Sequence, residues 1–330
     1  MLWHIRDGYL LCYGALQPDA IRAAHRAQPV ELLVPAIVGA RHWEKWIATF
    51  SKRSNHVATI SLYMENIMIY ELETTAYEKA RPLFQGMGHS QLFADAIFEG
   101  NHVGRVFVDD PECPTTALIA PMCEFFFTAG RTDNTAFNQA MRALILSELV
   151  SPEGDLLLFP TSEAWQSALD MLFADYARLH IARKAFTFIP TMFAERHAGW
   201  RTWLPSGYAI HQYDLALAEN TELADFWGSL ANFLARGFGF AVVKGDEVIS
   251  RCHTVMVGGG EAEINIETAE PYRRQGYAML AACAFIEHCL EQGLRPAWSC
   301  WDNNIPSQIL AQRLGFNHPV DVLAIYTKVK

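Results

Sequence analysis

The run Arg273–Ala278 (Arg-Arg-Gln-Gly-Tyr-Ala) combines residue types that suit a phosphate group. It follows a predicted strand that ends at Thr268, and it opens a predicted helix rich in small and apolar residues. The first turn of a helix has unpaired N–H groups and a partial positive charge, so it attracts anions. Gly276 leaves the backbone uncovered there, and the two arginines can add charge-assisted hydrogen bonds. The run therefore favours a phosphate or pyrophosphate site, with surface arginines on a solvated loop as the alternative.

The strand before this loop has polar residues at alternate positions. Within Ala262–Thr268, the residues Glu263, Asn265 and Glu267 alternate with isoleucines, so they share one face of the strand. A carboxylate beside a bound substrate can act as a general base. This face suits a polar substrate cleft, and a merely solvated face is the alternative.

The segments on either side follow in a recognisable order. A predicted hairpin turns at Gly245-Asp246, a strand covers Arg295–Trp301, and a helix over 306–314 ends in Leu314-Gly-Phe. Together with Arg273–Ala278, this order resembles the GNAT acetyltransferases, whose pattern is Q/R-x-x-G-x-G/A after the fourth strand. Within that superfamily the segments look closest to the group that includes the zwittermicin A resistance acetyltransferases. The run Gly104–Pro111 extends this resemblance towards the N-terminus.

The resemblance implies a site for acetyl-CoA, as a co-substrate, between the fourth and fifth strands. The strand backbone would pair with the pantetheine arm, the turn would hold the pyrophosphate, and Asn303 or Asn304 with Ser307 would lie near the thiol end. The implied cofactor-binding residues are Ile266, Glu267, Thr268, Arg273, Arg274, Gln275, Gly276, Tyr277, Ala278, Asn303 and Ser307.

The resemblance also implies direct attack of an amine on the thioester carbonyl, which often needs a base. Glu263 stands where several GNAT enzymes keep a glutamate base, and Glu267 is the second candidate catalytic residue. Many members have a Tyr that protonates the thiolate, four residues before the Leu-Gly-Phe glycine, and here that position is Ala311. Water can replace it, and the candidate side chains are Tyr272, Cys300, His318 and Tyr326.

Two stretches of the chain repeat one order of predicted elements. A strand, a helix, a strand and a helix occupy Cys123–Phe173, and the same order recurs from Ala262 to Leu314. This repeat predicts an α/β fold with a mixed sheet and tandem GNAT-like domains. We expect an N-terminal extension at 1–66, a degenerate domain at 67–184 and a complete catalytic domain at 185–330. The first copy has Gly130-Arg-Thr-Asp-Asn-Thr in place of the phosphate run, so we expect it not to hold CoA in the standard way.

The extension at 1–66 has two interpretations. It is either a real additional element or an upstream reading-frame extension, with Met64 or Met68 as the natural start.

The composition of the chain limits the partners and the cellular location that we expect. The 330 residues carry a net charge of −10, which argues against a nucleic-acid partner. Apolar runs fall short of the about 20 residues that a membrane span needs. The 7 cysteines form no C-x-x-C pair, so we expect reduced thiols, no metal site and a cytoplasmic location. The expected partner is a small-molecule amine, and an oligomer is possible.

Three functions remain open at this point. The leading one is an acetyl-CoA-dependent N-acetyltransferase that acts on a small amine. The residue Ala311 motivates a second, a non-catalytic acyl-CoA-binding regulatory or scaffold protein. The third is transfer of a longer acyl or aminoacyl group by the same fold.

Overall fold

A computed structural model describes residues 2–6, 9–13, 69–121, 125–150, 154–219 and 221–329. The chain divides into two compact units, 1–67 and 68–330. In the first unit, β1 (Leu2–Arg6) pairs antiparallel with β2 (Tyr9–Tyr13). The two alternative start positions, Met64 and Met68, lie outside the described residues.

A mixed sheet of 12 strands organises the second unit, in the order β3-β4-β5-β6-β7-β14-β8-β13-β12-β11-β10-β9. The strands are β3 (Tyr70–Glu71), β4 (Gly104–Val108), β5 (Thr116–Pro121), β6 (Phe125–Gly130), β7 (Asp155–Pro160), β8 (Arg178–Phe188), β9 (Ala209–Gln212), β10 (Gly239–Lys244), β11 (Glu247–Gly258), β12 (Glu261–Thr268), β13 (Arg295–Trp301) and β14 (Phe316–Lys328). Two neighbouring pairs, β6 with β7 and β12 with β13, are parallel. The predicted α/β class with a mixed sheet is confirmed.

Helices connect these strands. They are α1 (Gln91–Phe98), α2 (Thr135–Leu144), α3 (Glu163–Leu172), α4 (Pro190–Arg196), α5 (Leu215–Ala218), α6 (Leu223–Trp227), α7 (Leu230–Arg236), α8 (Tyr277–Glu291) and α9 (Ile305–Arg313). The segment Ile145–Leu149 continues α2 as a π-helical turn. Short 3₁₀ turns cover Thr74–Lys79, Arg81–Phe84, Gly88–Ser90, Trp200–Trp203 and Glu270–Tyr272. No described helix has the length and apolarity that a membrane span requires.

The two predicted halves exchange their last strands. β14 ends the second half, yet it pairs antiparallel with β7 of the first. β8 begins in the first half, yet it pairs antiparallel with β13 of the second, and β8 and β14 pair with each other. The boundary predicted between residues 184 and 185 therefore falls inside β8. The division into 67–184 and 185–330 stays a prediction.

Close packing of α1 against β11 joins the two halves a second time. A Cβ atom on Gly258, at the end of β11, would lie 2.2 Å from the backbone nitrogen of Ala96 in α1, so only a glycine admits the helix there. Asn101 Nδ2 donates to the Val257 carbonyl at 3.0 Å, and the Gly259 N–H donates to Glu99 Oε1 at 3.0 Å. The turn Gly88–Ser90, which leads into α1, is thereby held against the second half.

Candidate active site

The parallel strands β12 and β13 form a fork. They pair at Glu261 with Arg295, Ala262 with Pro296 and Glu263 with Ala297, and among the described residues their pairing does not continue. From Trp298 onward β13 pairs instead with β8, while β12 stays paired with β11 to Thr268. Glu263 therefore lies at the base of the opening between the two strands.

A cavity of about 280 Å³ occupies this fork. Its wall includes Glu263–Ile266 of β12, Trp298–Trp301 of β13, His253–Val255 of β11, Asn304 and Ser307 of α9, and Leu223 and Phe226 of α6. The first half adds Phe93, Phe125 and Arg183 to the same wall. The cavity has room for a small molecule, since a liquid water takes about 30 Å³.

The carboxylate of Glu263 is buried beneath this cavity, with its side chain 2% exposed. Oε1 accepts hydrogen bonds from the Ser299 backbone N–H at 3.1 Å and from Ser299 Oγ at 2.6 Å. Oε2 lies 3.2 Å from Nε2 of His89. Burial raises the pKa of Glu263, but the electrostatic effect of His89, the hydrogen bond from the Ser299 hydroxyl and the charge of Arg183 together lower it by more, so the net pKa is below the ordinary value.

The second predicted catalytic residue, Glu267, lies elsewhere on the same strand. It is exposed outside the cavity wall, with Oε1 3.4 Å from Nη1 of Arg251. It lies four positions along the strand from Glu263, about 13 Å at about 3.3 Å per residue. Between them, Nδ2 of Asn265 contacts Nε2 of His253 at 3.2 Å. Burial, and then the charge of Arg251, lower the pKa of His253 to about 4, so this imidazole is neutral at neutral pH.

The predicted phosphate run forms an open turn. Arg274 and Gly276 take positive φ angles of 62° and 92°. No side chain within the described residues caps α8, and a Cβ on Gly276 would meet no described atom within 4 Å. Arg273 Nε donates to the Thr268 carbonyl at 3.1 Å, and Gln275 Nε2 donates to the Pro271 carbonyl at 3.0 Å. These two hydrogen bonds stabilise the turn, and the start of α8 stays accessible to an anion.

Two neighbours in this turn differ in what they offer. The ring of Tyr277 is buried and stacks on Tyr208 with centroids 5.0 Å apart, so this residue would contribute its backbone to a ligand. Ala278 follows it in the first turn of α8 and is only partly buried.

The residues predicted near the thiol end are partly brought together. Asn304 Oδ1 caps α9 by accepting from the Ser307 N–H at 3.2 Å, and Ser307 Oγ accepts from Nε1 of Trp298 at 3.1 Å. Asn304, Ser307 and Ile266 line the cavity, whereas Asn303 is exposed outside its wall. Thr268 Oγ1 lies farther along β12, 2.8 Å from Ser250 Oγ.

The candidate general acids lie apart from one another. Cys300 lines the cavity, and burial raises the pKa of its thiol. The Tyr272 hydroxyl donates to Glu247 at 2.8 Å, and the Tyr326 hydroxyl donates to Asp155 at 2.6 Å. His318 is exposed on β14. Ala311 is fully buried and has no group that could transfer a proton.

The corresponding region of the first half is closed. Pairing of β6 with β7 runs from Phe125–Leu157 to Thr128–Pro160, the last residue of β7, so no fork opens. Asn134 Oδ1 caps α2 by accepting from the Phe137 N–H at 3.1 Å. Its Nδ2 donates to the Asp109 carboxylate at 3.0 Å. A side chain and a negative charge therefore occupy the place where the second half has an open turn.

Sequence reasoning missed His89 and Arg183. Neither belongs to a motif that carries the resemblance. Arg183 has no distinguishing signal, because it is one of several basic residues in the run Arg178–Lys184. His89 has none either, because its partner Glu263 is remote in sequence.

The described cysteines form no disulfide. The described cysteine side chains are unpaired, with Cys252, Cys283, Cys289 and Cys300 buried and Cys113 exposed. No cluster of three His, Cys, Asp or Glu side chains that could hold a metal occurs among the described residues.

Comparisons with known proteins agree with this geometry. The chain is 29% identical over 266 residues to the "Uncharacterized N-acetyltransferase YdfB" of Bacillus subtilis, a match covering 79% of this chain and 99% of the relative. A GCN5-related N-acetyltransferase-like protein from Streptococcus suis has a similar structure, with TM-score 0.59 and 21% identity over 77% of this chain and 99% of that one. A tandem GNAT protein from the clavulanic acid biosynthesis pathway aligns with TM-score 0.56 and 13% identity, covering 78% and 97% of the two chains. A family model described as GNAT acetyltransferase matches residues 81–323, and the chain belongs to that family.

Proposed function

We propose that the protein transfers an acetyl group from acetyl-CoA to the amine of a small molecule. The observation that carries this proposal is the fork at Glu263, since it combines a cavity with a buried carboxylate and lies on the strand that leads to the open turn before α8. Membership of the GNAT family supports the same chemistry.

The proposed position of acetyl-CoA follows the shape of the fork. The pyrophosphate binds the turn Arg273–Ala278, where backbone N–H groups and the helix dipole favour an anion. The pantetheine arm lies along β12 at Ile266–Thr268. The thioester reaches the cavity beside Asn304 and Ser307, which line it.

The proposed reaction is a direct transfer. The neutral amine nitrogen attacks the carbonyl carbon, the carbon–nitrogen bond forms, and the carbon–sulfur bond breaks. Glu263, ionised at neutral pH because its pKa is lowered, accepts the proton that the amine loses. The departing thiolate takes a proton from water or from Cys300, the candidate acid that lines the cavity.

The acceptor and the setting are also proposals. The resemblance to the zwittermicin A resistance group points to an aminopolyol-type acceptor, and the protein is proposed to act in the cytoplasm. The first half is proposed to close the acceptor side of the cavity without holding CoA, because its own side chains fill the corresponding helix start. Two other functions compete: a non-catalytic acyl-CoA-binding protein, which the buried Ala311 favours, and transfer of a longer acyl or aminoacyl group.

Acetyl-CoA binding, measured by calorimetry, tests the cofactor site. Wild type should bind, and Gly276→Trp should not, because an indole would fill the open turn. Gly276→Ala carries the same backbone strain without the bulk and should still bind. Gly293→Trp is a matched control at the other end of α8, since Gly293 also has a positive φ, 71°, and open space around it. If wild type binds no acyl-CoA, the transferase proposal fails.

Turnover then separates the competing functions. A panel of small amines with acetyl-CoA, followed through release of the free thiol, should show transfer by wild type and a loss of about 100-fold or more in Glu263→Gln. Binding without turnover on any amine would favour the non-catalytic protein. A clear preference for longer acyl-CoA donors would favour the third function.

A further inference from the structure

Three elements meet at the carboxylate of Glu263, and two of them come from the first half of the chain. Ser299 of β13 donates to Oε1 through its backbone N–H and its hydroxyl. Arg183 of β8 donates through Nη2 to Ser299 Oγ at 2.7 Å, and this bond orients the hydroxyl towards Glu263. His89, on the turn before α1, reaches Oε2.

The two sides of the carboxylate are not equivalent. Oε1 has two aligned donors, whereas Oε2 has none within the described part of the chain. Nε2 of His89, 3.2 Å away, is likewise buried and without an aligned hydrogen bond there. An unsatisfied buried carboxylate oxygen is costly unless an opposite charge or a ligand compensates it. Nε2 of His89, at 3.2 Å, provides this electrostatic compensation and favours the ionised carboxylate.

His89 is fixed in place by packing rather than by its own loop. The helix that follows it is pressed onto β11 at Gly258, where a backbone contact admits no side chain. The ring of His89 meets Phe93 edge-on, with centroids 6.1 Å apart, and Phe93 lines the cavity. The packing of α1 on β11 and the ring contact with Phe93 place His89 beside Glu263, where it can affect the ionisation of that carboxylate.

We propose that His89 is a positioning residue, which holds Glu263 in its ionised form to receive the proton of the acceptor amine, so that the first half completes the active site of the second. This inference rests on the function proposed above. It assigns the first half a part in the chemistry, beyond closing the cavity.

The other charged or titratable groups near Glu263 have separate roles. Arg183 acts through Ser299 and stacks on Trp301, with its guanidinium carbon 4.7 Å from the ring centroid. Cys300 is a buried thiol, and His253 is neutral because of its burial. The charge of Arg183 also favours the ionised form of Glu263, and His89 is the side chain that lies against Oε2.

The test replaces the imidazole with a neutral amide in His89→Gln. Infrared spectroscopy follows the C=O stretch of protonated Glu263, identified as the band that Glu263→Gln lacks. The band should appear at higher pH in His89→Gln than in wild type, because the electrostatic contribution of His89, which lowers the pKa of Glu263, is gone. The acidic limb of the pH profile of kcat/KM should move to higher pH in parallel, while thermal unfolding shows that the variant is folded.

A second histidine–carboxylate pair supplies the control. Nε2 of His180 lies 3.0 Å from Asp170, and the His180 side chain is 51% exposed outside the cavity wall. His180→Gln should change neither the band nor the profile. His89→Asn should move both in the same direction as His89→Gln, and it replaces that variant if the latter does not fold.

The possible outcomes separate this inference from the proposed function. An active transferase whose infrared band and pH profile are the same in His89→Gln as in wild type overturns the role of His89 and leaves the function standing. A shifted band in a protein that binds no acyl-CoA refutes the function and with it the catalytic role, while it confirms the electrostatic coupling of the two side chains.

Discussion

Removal of one hydroxyl, in Ser299→Ala, should cost more stability than its size suggests. Ser299 Oγ donates to the buried carboxylate of Glu263 at 2.6 Å and accepts from Arg183 at 2.7 Å, so it bridges two charges. Hydrogen bonds to charged groups contribute about 1.5–3 kcal/mol each. Glu263 keeps the Ser299 backbone N–H, and Arg183 keeps the Ser299 carbonyl at 3.3 Å. We therefore expect a loss of about 3 kcal/mol, between the values for one such bond and two.

Urea denaturation at pH 7 measures this loss. Ser250→Ala is the matched control, because Ser250 is 2% exposed against 7% for Ser299, and its hydroxyl also makes two hydrogen bonds, to the carbonyl of Glu267 and to Thr268 Oγ1, each at 2.8 Å, with neutral partners. Neutral hydrogen bonds contribute about 1 kcal/mol each, so Ser250→Ala should cost about 2 kcal/mol. In a Glu263→Gln background, Ser299→Ala should cost less, because the charged acceptor is gone. Equal losses for the two serine variants, or full additivity with Glu263→Gln, would refute the charge-bridging role.

Two further predictions concern the joint between the halves and the pH dependence of stability. Gly258→Ala should destabilise the protein by more than about 2 kcal/mol and displace α1, because its Cβ would meet backbone atoms of α1 at 2.2 Å. Gly260→Ala, with a positive φ of 74° and open space, should cost only about 1–2 kcal/mol, and denaturation of both variants gives the comparison. Because the pKa of folded Glu263 is below its ordinary value of 4.5, its ionisation stabilises the fold above that pH and ceases to do so as the pH falls through the folded pKa. The difference in unfolding free energy between wild type and Glu263→Gln should therefore shrink in acid, and an unchanged difference between pH 7 and pH 3 would contradict this assignment.

The sequence was informative wherever the site is local in the chain. The turn before α8 could be predicted, because a glycine and two arginines at a helix start have a direct chemical meaning. Strand alternation placed Glu263 and Glu267 on one face, but it could not tell that the fork opens at Glu263 and leaves Glu267 outside. The position at which the fork opens depends on where β13 stops pairing with β12 and begins to pair with β8.

The contributions of the first half could not be predicted in the same way. His89 and Arg183 reach the site through a helix packed on β11 and through a strand that crosses into the other half. Neither contact has a spacing that repeats in sequence. The expected boundary at 184/185 fell within β8 for the same reason, because a repeat of elements does not reveal an exchange of strands.

The exchanged strands also affect how the chain folds during its synthesis. Tyr326 of β14 donates to Asp155 of β7, a residue 171 positions earlier, and the two strands lie side by side. Ribosomes add about 5–20 residues per second, so one edge of β7 has to await its partner for roughly ten to thirty seconds. An unpaired strand edge of this kind invites wrong pairing between chains. Expression of either half alone should therefore yield an incomplete, aggregation-prone sheet, and a gene for this protein cannot be divided at its repeat without losing both products.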